Sequence, residues 1–262
     1  CRSDTIENTV FLYYKNIMEV NRVTIITISY NAVLGIERTI NSVITQTYSN
    51  LQYIIIDGGS TDGTVDIIKK YADKIDYWVS EPDSGIYYAM NKGIAIADGD
   101  WINFMNAGDY FVDRNVIEQI FQHNIECTDN VIYGNTIGKY KHGFISEKPE
   151  PLVVMNKRLP FCHQSVFVKE QLIKSMPFDT EYRIGADYDM FYKYFKLGVR
   201  FKYVDIYISV FEHEIGISSI NNFKIWYKEN ARSRGEENSL IFKLKYFTHL
   251  VLQKVKYIFN NK

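Results

Sequence analysis

The sequence has few of the features that mark secreted, membrane or disulfide-rich proteins. Its 262 residues include three cysteines, Cys1, Cys127 and Cys162, and it contains no run of the roughly 18–20 apolar residues that a transmembrane helix requires. A small, odd number of cysteines argues against a disulfide framework and favours a reducing compartment. The first twenty residues also lack the basic start of a signal peptide. We therefore expect a cytoplasmic protein.

An excess of charge of one sign is also missing. The chain carries 30 Lys and Arg against 31 Asp and Glu, a net charge of −1. Nucleic-acid-binding domains normally show a basic excess, so no nucleic-acid partner is predicted. Because 46% of the residues are hydrophobic, the composition is that of a folded domain and not of a disordered chain.

Two common phosphate-binding motifs are absent. No G-x-G-x-x-G follows the first predicted strand, and no G-x-x-x-x-G-K-[ST] occurs anywhere. Dinucleotide-dependent oxidoreductases and Walker-type nucleotide hydrolases therefore lose support. A nucleotide would have to be held in another way, through its base and ribose, with the charge of its phosphates neutralised by a metal.

What the first hundred residues do contain is an alternation of apolar strands and helical patterns, which predicts an α/β fold with a mostly parallel central sheet flanked by helices. The predicted strands are Val23–Ser29, Leu51–Ile56, Tyr77–Ser80 and Trp101–Met105. Polar clusters follow three of them, at 30–31, 57–59 and 106–109. Ligands of such sheets bind beyond the carboxyl ends of the strands, so these clusters should face one cleft.

Two aspartates in these clusters have the chemistry of a nucleotide site. Asp57 ends a near-continuous apolar strand, where its carboxylate either accepts hydrogen bonds from a ribose or base or caps the following turn. The neighbouring Gly58 and Gly59 favour the first alternative, because missing side chains let a ligand approach the backbone. Asp109 is a candidate ligand for Mg²⁺ or Mn²⁺, which prefer carboxylate oxygens; its alternative role is to cap a turn.

The order and spacing of the motifs resemble those of family-2 glycosyltransferases, including bacterial colanic-acid and capsule polysaccharide enzymes. The matching segments are SYN at 29–31, IIIDGGSTDGT at 54–64, GIY at 85–87, NKG at 91–93 and NAGD at 106–109. The resemblance implies a GT-A fold, a nucleotide-diphosphate-sugar donor, a divalent cation (Mn²⁺ or Mg²⁺) and inversion at the anomeric carbon. UDP is the default donor nucleotide.

The same resemblance assigns residues to the donor site. Those implied to bind the nucleotide sugar are Tyr30, Asn31, Asp57, Gly58, Asp83, Asn91, Lys92 and Asn106. Asp109 would bind the metal, although only one of the family's three acids remains in this motif. His163 and Gln164 match an H-Q element and would line the donor or acceptor pocket; a buried structural histidine is the alternative. A solvated helix face is the alternative for Lys92.

The family's general base is an acid at the start of a late helix, and two acids compete for that role here. Residues two apart lie about 200° around a helix axis, so only one can face inward. Asp187 shares a face with Phe191 and Tyr194, whereas Asp189 shares one with Lys193 and would form a surface ion pair. We therefore predict Asp187 as the base and a structural role for Asp189.

The predicted organisation is an N-terminal extension (1–21), a glycosyltransferase domain (22–220, with a nucleotide half at about 22–110 and an acceptor half at about 111–220) and a C-terminal tail (221–262). The tail carries nine Lys and Arg and three Glu. Its segment 240–259 has the pattern of a basic amphipathic helix. Such a helix lies on an anionic membrane surface or docks on the domain or on a second subunit in a homodimer.

The function predicted from these residues is transfer of a sugar to a glycan or lipid-linked acceptor in surface polysaccharide synthesis, in the cytoplasm or at the cytoplasmic face of the inner membrane. Two alternatives stay open. A sugar nucleotidyltransferase uses a similar sheet but normally has a basic loop after its first strand, and residues 29–37 contain one glycine and no lysine. A non-catalytic sugar-binding or assembly protein is favoured only by the reduced metal motif.

Overall fold

The computed structural model describes residues 21–122, 125–213 and 223–240, together with residues 242, 246 and 248. The predicted N-terminal extension lies almost entirely outside these residues. So does most of the lysine-rich segment 240–259, and the alternatives for it stay predictions. Among the described helices, none has both the length and the apolar composition needed to cross a membrane.

The first half of the chain forms the predicted alternation of strands and helices. Its elements are β1 (Val23–Ser29), α1 (Ile36–Ile44), β2 (Leu51–Asp57), α2 (Thr64–Lys70), β3 (Tyr77–Ser80), α3 (Ile86–Ile96) and β4 (Trp101–Phe104). Pairing of β1 with β2 and β4, and of β2 with β3, is parallel. The predicted α/β class is confirmed.

The second half extends the same sheet with antiparallel pairings, apart from the long parallel pairing of β6 with β9. Its elements are β5 (Tyr110–Phe111), α4 (Val116–Gln122), β6 (Val131–Tyr140), β7 (Gly143–Glu147), β8 (Val166–Lys169), α5 (Glu170–Ser175), α6 (Ala186–Lys196), β9 (Phe201–Glu212) and α7 (Phe223–Ser233). The strand order is β3-β2-β1-β4-β8-β6-β9-β5, with β7 paired to β6. The sequence pattern predicts short strands at Val131–Tyr133 and Phe201–Val204, and β6 and β9 run well past them.

The central strands are buried on both faces, which explains their uninterrupted apolar sequences. In β1, Ile26 and Ile28 join the core layer on the α3 side, whereas Val23 and Ile25 join the opposite layer, next to α1. All four are buried, and each fully buried isoleucine contributes about 1.5–3 kcal/mol. This two-sided core fixes the carboxyl ends of the strands, where the polar clusters lie.

The NKG segment contributes to this packing through its glycine. A Cβ atom at Gly93 would lie 2.6 Å from Cγ2 of Ile26, so any side chain would push α3 away from β1. The glycine therefore brings the helix close to the sheet and to the cleft that the helix borders.

Candidate active site

A cleft of about 1220 Å³ opens at the carboxyl ends of the parallel strands. All three predicted polar clusters contribute to its wall, through Tyr30 and Asn31, Gly58 and Gly59, and Asn106 to Asp109. The remaining wall comes from the loop after β3 and the start of α3, from β6, from the segment between β7 and β8, from the start of α6 and from the end of β9. The topology thus brings together residues as far apart in the sequence as Ile28 and His213, as expected for a site at strand carboxyl ends.

Three predicted donor-site residues border one narrow slot in this cleft. A Cβ atom added to Gly58 would lie 3.4 Å from Cδ2 of Tyr30 and 3.0 Å from Oδ2 of Asp83. The Tyr30 side chain is 68% exposed, so its ring is available for stacking. One oxygen of Asp83 accepts a hydrogen bond from the Gly85 N–H (2.8 Å). An aromatic ring, a carboxylate and a missing side chain form a slot that suits a planar base and its ribose.

Asp57 lies beneath this slot and does not line the cleft. Its side chain is fully buried, and its carboxylate accepts hydrogen bonds from the hydroxyls of Ser29 (2.8 Å), Ser60 (2.6 Å) and Ser80 (2.6 Å). It also accepts the N–H groups of Gly59 and Ser60. The predicted direct contact with the nucleotide is therefore corrected: Asp57 holds the loop that carries Gly58.

The register of the sheet explains this arrangement. Ser29 pairs with Asp57 across β1 and β2, and Asp57 pairs with Ser80 across β2 and β3. The carboxylate thus lies between two hydroxyls at the ends of neighbouring strands. Burial acts to raise the pKa of Asp57, but the hydrogen bonds from Ser60, Ser80 and Ser29 outweigh it and keep the pKa below its ordinary value. The group is held as an anion.

Asn31 fastens the first loop to the second. Its backbone has a φ of +47°, in the left-handed region that asparagine tolerates better than most residues. The Asn31 N–H donates to Oγ of Ser60 (2.8 Å), and its Oδ1 accepts from the Thr61 N–H (3.0 Å). The two loops beneath the slot are therefore one hydrogen-bonded unit.

The Asn106–Asp109 loop is held against α1 by contacts that the sequence pattern does not reveal. A Cβ atom at Gly35 would lie 2.8 Å from Cα of Gly108, so the two backbones touch. Oγ1 of Thr39 donates to the Asp109 carbonyl (2.6 Å) and accepts from the Gly108 N–H (3.0 Å). Arg38 donates to the Gly108 carbonyl (2.7 Å). These partners are about 70 positions from the loop, and a pattern of local spacing carries no signal for them.

The carboxylate of Asp109 is buried at the inner wall of the cleft. Its Oδ1 accepts the Glu212 N–H (2.9 Å) and its Oδ2 accepts the side-chain amide of Gln164 (2.8 Å). Burial raises the pKa of Asp109 to about 6, despite these two donors. Gln164 itself is buried and accepts a hydrogen bond from the Cys162 thiol. Gln164 thus lines the wall of the cleft, and its side-chain amide orients the Asp109 carboxylate.

The donor set of this loop suits a divalent cation that is shared with a bound anion. Oδ1 of Asn106 is buried and has no hydrogen-bond partner among the described residues, and it lies three positions from the Asp109 carboxylate. Carbonyl and carboxylate oxygens are the ligands that Mg²⁺ and Mn²⁺ prefer. Within the described chain, no group of three His, Cys, Asp or Glu side chains is arranged to hold a metal alone. A bound diphosphate would therefore have to complete the coordination.

The charge of the cleft also favours a cation that accompanies a bound diphosphate. Its wall includes the six acidic residues Asp83, Asp109, Glu147, Glu150, Asp187 and Glu212. Only Lys148 and Arg183 are basic among the described Lys and Arg residues of the wall, and Lys148 already pairs with Asp205. Glu150 is paired with Arg158 and Glu212 with Lys139, but four acids of the wall remain without a Lys or Arg partner in the part of the chain that the structure describes, so a cation would assist the entry of a diphosphate.

His163 connects this loop to the start of α6. Its Nε2 lies 3.3 Å from Nδ2 of Asn106, and its Nδ1 lies 3.4 Å from Oδ2 of Asp187. Because the Asn106 amide nitrogen can only donate, Nε2 acts as the acceptor and the ring proton resides on Nδ1, facing the carboxylate. His163 is thus part of the site and not an isolated core histidine.

Asp187 opens into the cleft, whereas Asp189 does not. The Asp187 side chain is 24% exposed. Asp189 is buried and accepts from the Tyr182 hydroxyl (2.9 Å) while pairing with Lys193 (2.6 Å). The predicted ion pair is confirmed, but its predicted surface position is wrong. α6 is buried along most of its circumference, so the face opposite Asp187 is also covered by protein.

Comparison with known proteins decides what this constellation belongs to. Residues 24–196 match the family described as glycosyl transferase family 2. The chain belongs to glycosyltransferase family 2. The family and enzyme class predicted from the motifs are thereby confirmed, while the narrower likeness to colanic-acid and capsule enzymes stays a prediction.

Two curated relatives of this glycosyltransferase are mycobacterial. An uncharacterized glycosyltransferase of Mycobacterium tuberculosis is 44% identical over 98 residues, which cover 37% of each protein. The PGL/p-HBAD biosynthesis glycosyltransferase of Mycobacterium bovis is 28% identical over 175 residues, covering 63% of this chain and 66% of the relative. The matches therefore span less than two thirds of these relatives' own lengths.

Solved structures share the fold at low sequence identity. S. aureus TarS in complex with UDP superposes with a TM-score of 0.62 at 18% identity, covering 81% of this chain and 65% of that one. A mannosyltransferase of Pyrobaculum calidifontis, in complex with GDP-Man and Mn²⁺, gives a TM-score of 0.61 at 19% identity, covering 83% and 64%. The predicted GT-A fold is confirmed.

Two further predicted donor contacts of the glycosyltransferase are corrected by their side-chain partners. The Asn91 amide donates to the Phe178 carbonyl (2.8 Å) and accepts from the Phe178 N–H (3.0 Å), so both of its ends are engaged away from the cleft. Lys92 pairs with Glu81 (2.6 Å). Neither residue lines the cleft. Asn91 joins α3 to the segment before α6, and Lys92 belongs to a solvated helix face.

Proposed function

We propose that this protein is an inverting glycosyltransferase that moves a sugar from a nucleotide-diphosphate sugar to an acceptor hydroxyl. One observation carries the proposal: Asp187 opens into the same cleft as the slot formed by Tyr30, Gly58 and Asp83. A nucleotide bound in the slot would extend its phosphates and sugar along the cleft wall. The reacting carbon would then come within reach of an inward-facing carboxylate.

The slot binds the nucleoside of the donor, and the loop between β4 and β5 binds its diphosphate through a cation. Tyr30 stacks on the base, and Asp83 accepts hydrogen bonds from the base or ribose. Asp109 and Asn106 hold a divalent cation, Mn²⁺ or Mg²⁺, which when bound neutralises charge on the diphosphate leaving group. The Gln164 amide and the Glu212 N–H fix the Asp109 carboxylate in its orientation. Such outer hydrogen bonds commonly hold metal-binding side chains in place.

Asp187 acts as the general base. The acceptor oxygen attacks the anomeric carbon as the bond between that carbon and the diphosphate oxygen breaks. The acceptor proton passes to Asp187, and the nucleoside diphosphate leaves. Because attack and departure occur on opposite sides of the carbon, the configuration inverts. Positioned proton transfer of this kind contributes about 10²–10⁴-fold to a rate.

The acceptor and the cellular setting follow from the family resemblance. We infer a glycan or lipid-linked acceptor in surface polysaccharide synthesis, with UDP as the default donor nucleotide and a cytoplasmic location. The 22–220 domain and the 221–262 tail stay as the proposed organisation, with docking on the domain, membrane contact or a homodimer contact as the alternatives for segment 240–259 of the tail. The names of the mycobacterial relatives, with a biosynthetic glycosyltransferase among them, support a bacterial biosynthetic role.

The test is release of nucleoside diphosphate from a panel of UDP-, GDP- and dTDP-sugars, with mass-spectrometric detection of the transferred sugar. The wild-type protein should consume one donor class, and Asp187→Asn should fall by about 10²-fold or more. Binding of the nucleotide without release, in wild type and variant alike, would favour the non-catalytic alternative. Consumption of a nucleoside triphosphate with a sugar phosphate would favour the nucleotidyltransferase alternative.

A further inference from the structure

The turn that precedes the helix of Asp187 is held by a carboxylate from outside the segment that matches the family. Glu229, on α7, accepts hydrogen bonds from three consecutive backbone N–H groups. The distances are 2.8 Å from Arg183, 2.9 Å from Ile184 and 2.8 Å from Gly185. α7 spans Phe223–Ser233, beyond the matched residues 24–196.

This arrangement supplies what the start of α6 lacks. The first N–H groups of a helix have no partners within the helix, and a capping side chain usually satisfies one of them. The N-cap of α6 is Gly185, which has no side chain to do so. Successive N–H groups that point at one place form an anion-binding nest, and a carboxylate makes short, charge-assisted bonds there. Glu229, from another helix, therefore takes the N–H of the N-cap Gly185 together with those of Arg183 and Ile184 in the turn before it.

The turn is also enclosed on its other side. The Tyr87 hydroxyl, from α3, donates to the Ile184 carbonyl. At Gly185, an added Cβ would lie 3.2 Å from Oδ1 of Asn230 and 3.3 Å from Cβ of Glu229, so α7 packs directly on the backbone. The turn thus lies between α3 and α7, two residues before Asp187.

We propose that Glu229 is the positioning residue for the catalytic base. It fixes residues 183–185 so that Asp187 points into the cleft with Oδ2 facing His163. This role rests on the proposed function of Asp187 as the base. It also makes the helix beyond the family segment a required part of the active site and not an appendage.

The geometry predicts which kinetic constant depends on Glu229. The slot residues Tyr30, Gly58 and Asp83 follow β1, β2 and β3, and none of the three is hydrogen-bonded to Glu229, whose carboxylate is taken up by the N–H groups of residues 183–185. Releasing the turn moves the base relative to the acceptor hydroxyl, and displacements of about 1 Å from a productive geometry cost up to about 10²-fold in rate. Loss of Glu229 should lower kcat and leave nucleotide affinity unchanged.

The experiment compares Glu229→Gln and Glu229→Ala with Glu181→Gln. The control carboxylate, Glu181, is 72% exposed and pairs with Arg232 of α7, so its removal loosens the same helix without touching residues 183–185. Amide hydrogen exchange, kcat and the affinity for the nucleoside diphosphate are measured for each. We expect faster exchange at residues 183–185 and kcat lowered about 10–100-fold in Glu229→Ala. Glu229→Gln, which keeps one acceptor oxygen, should be intermediate, and Glu181→Gln should match wild type.

Three results would overturn the proposal. The first is that Glu229→Ala keeps the wild-type rate of amide exchange at residues 183–185, or keeps the wild-type kcat, while the wild-type protein is active. The second is an equal loss in Glu181→Gln, which would show a merely structural role of α7. The third is a loss of nucleotide affinity as large as that of kcat. If Glu229→Ala does not fold, Glu229→Gln decides by the same readouts. A wild type that transfers no sugar would instead refute the proposed function, and the positioning role with it.

Discussion

Nδ1 of His163 lies 3.4 Å from Oδ2 of Asp187, while Nε2 of the same ring faces Nδ2 of Asn106 at 3.3 Å. One imidazole therefore spans the gap between the loop after β4 and the first turn of α6. The loop belongs to the donor half of the cleft, and the helix carries the candidate base. Nδ1 of His163 contacts the Asp187 carboxylate at this distance, so the imidazole is placed to restrict its orientation.

Replacing His163 should slow transfer through Asp187. We expect His163→Ala to lower kcat about 10-fold or more, because the carboxylate loses the neighbouring imidazole that restricts its orientation. The double variant with Asp187→Asn should be no slower than Asp187→Asn alone, since residues that act as a unit are strongly non-additive. Steady-state kinetics of the four proteins test this, and additive losses would contradict it.

The two neighbouring acids of α6 should separate catalysis from stability. Asp187→Asn should lose turnover and keep a melting temperature close to that of wild type, because its side chain opens into the cleft. Asp189→Asn removes the charge that Lys193 pairs with in a buried position, which costs about 1–3 kcal/mol. A loss of that size lowers the melting temperature by several degrees, at about 2–4 °C per kcal/mol. Calorimetry and kinetics of the pair decide, and the reverse assignment would refute the placement.

The size of residue 58 should control access of the nucleoside to the slot. The backbone of Gly58 has a conformation that any residue can adopt. An added Cβ would meet only the end of the flexible Asp83 side chain and the edge of the Tyr30 ring. Gly58→Ala should therefore weaken nucleotide binding slightly, and Gly58→Val should weaken it at least tenfold. Titration calorimetry of both variants tests this. Equal binding by Gly58→Val and wild type would show that the base lies elsewhere.

β1, β2 and β4 were predictable from the sequence because each is buried on two faces and reads as an apolar run. The role of Asp57 was not, since it depends on Ser29 and Ser80 lying in register on neighbouring strands. Nor could the residues that hold the Asp109 loop be found, because Gly35 and Thr39 meet it through chain packing about 70 positions away. Helical spacing placed Asp187 on the inward face and Asp189 on a surface face, but at Asp189 that face of α6 is buried as well.

Asp57 should make stability depend on acid pH. Its pKa is lower in the folded protein than the ordinary value of 3.8, so its contribution is present above about pH 4 and is lost as pH falls through the folded-state pKa. Asp57→Asn should lower the free energy of unfolding by about 2–3 kcal/mol at neutral pH, since buried donors lose a charged acceptor. Denaturant unfolding at several pH values should show this gap shrinking below about pH 4. A gap that is constant with pH would contradict an anionic Asp57.

The most direct test of the account is calorimetric titration of UDP, GDP and dTDP into the protein, with and without Mn²⁺. The measurement is repeated on Asp109→Asn and on Asp113→Asn, a nearby carboxylate outside the cleft. The account predicts that one nucleotide binds, that removal of the metal weakens this binding at least tenfold, and that Asp109→Asn does the same while Asp113→Asn does not. If none of the three nucleotides binds, or if binding is indifferent to both the metal and Asp109, the assignment of this cleft to a nucleotide-sugar donor is wrong.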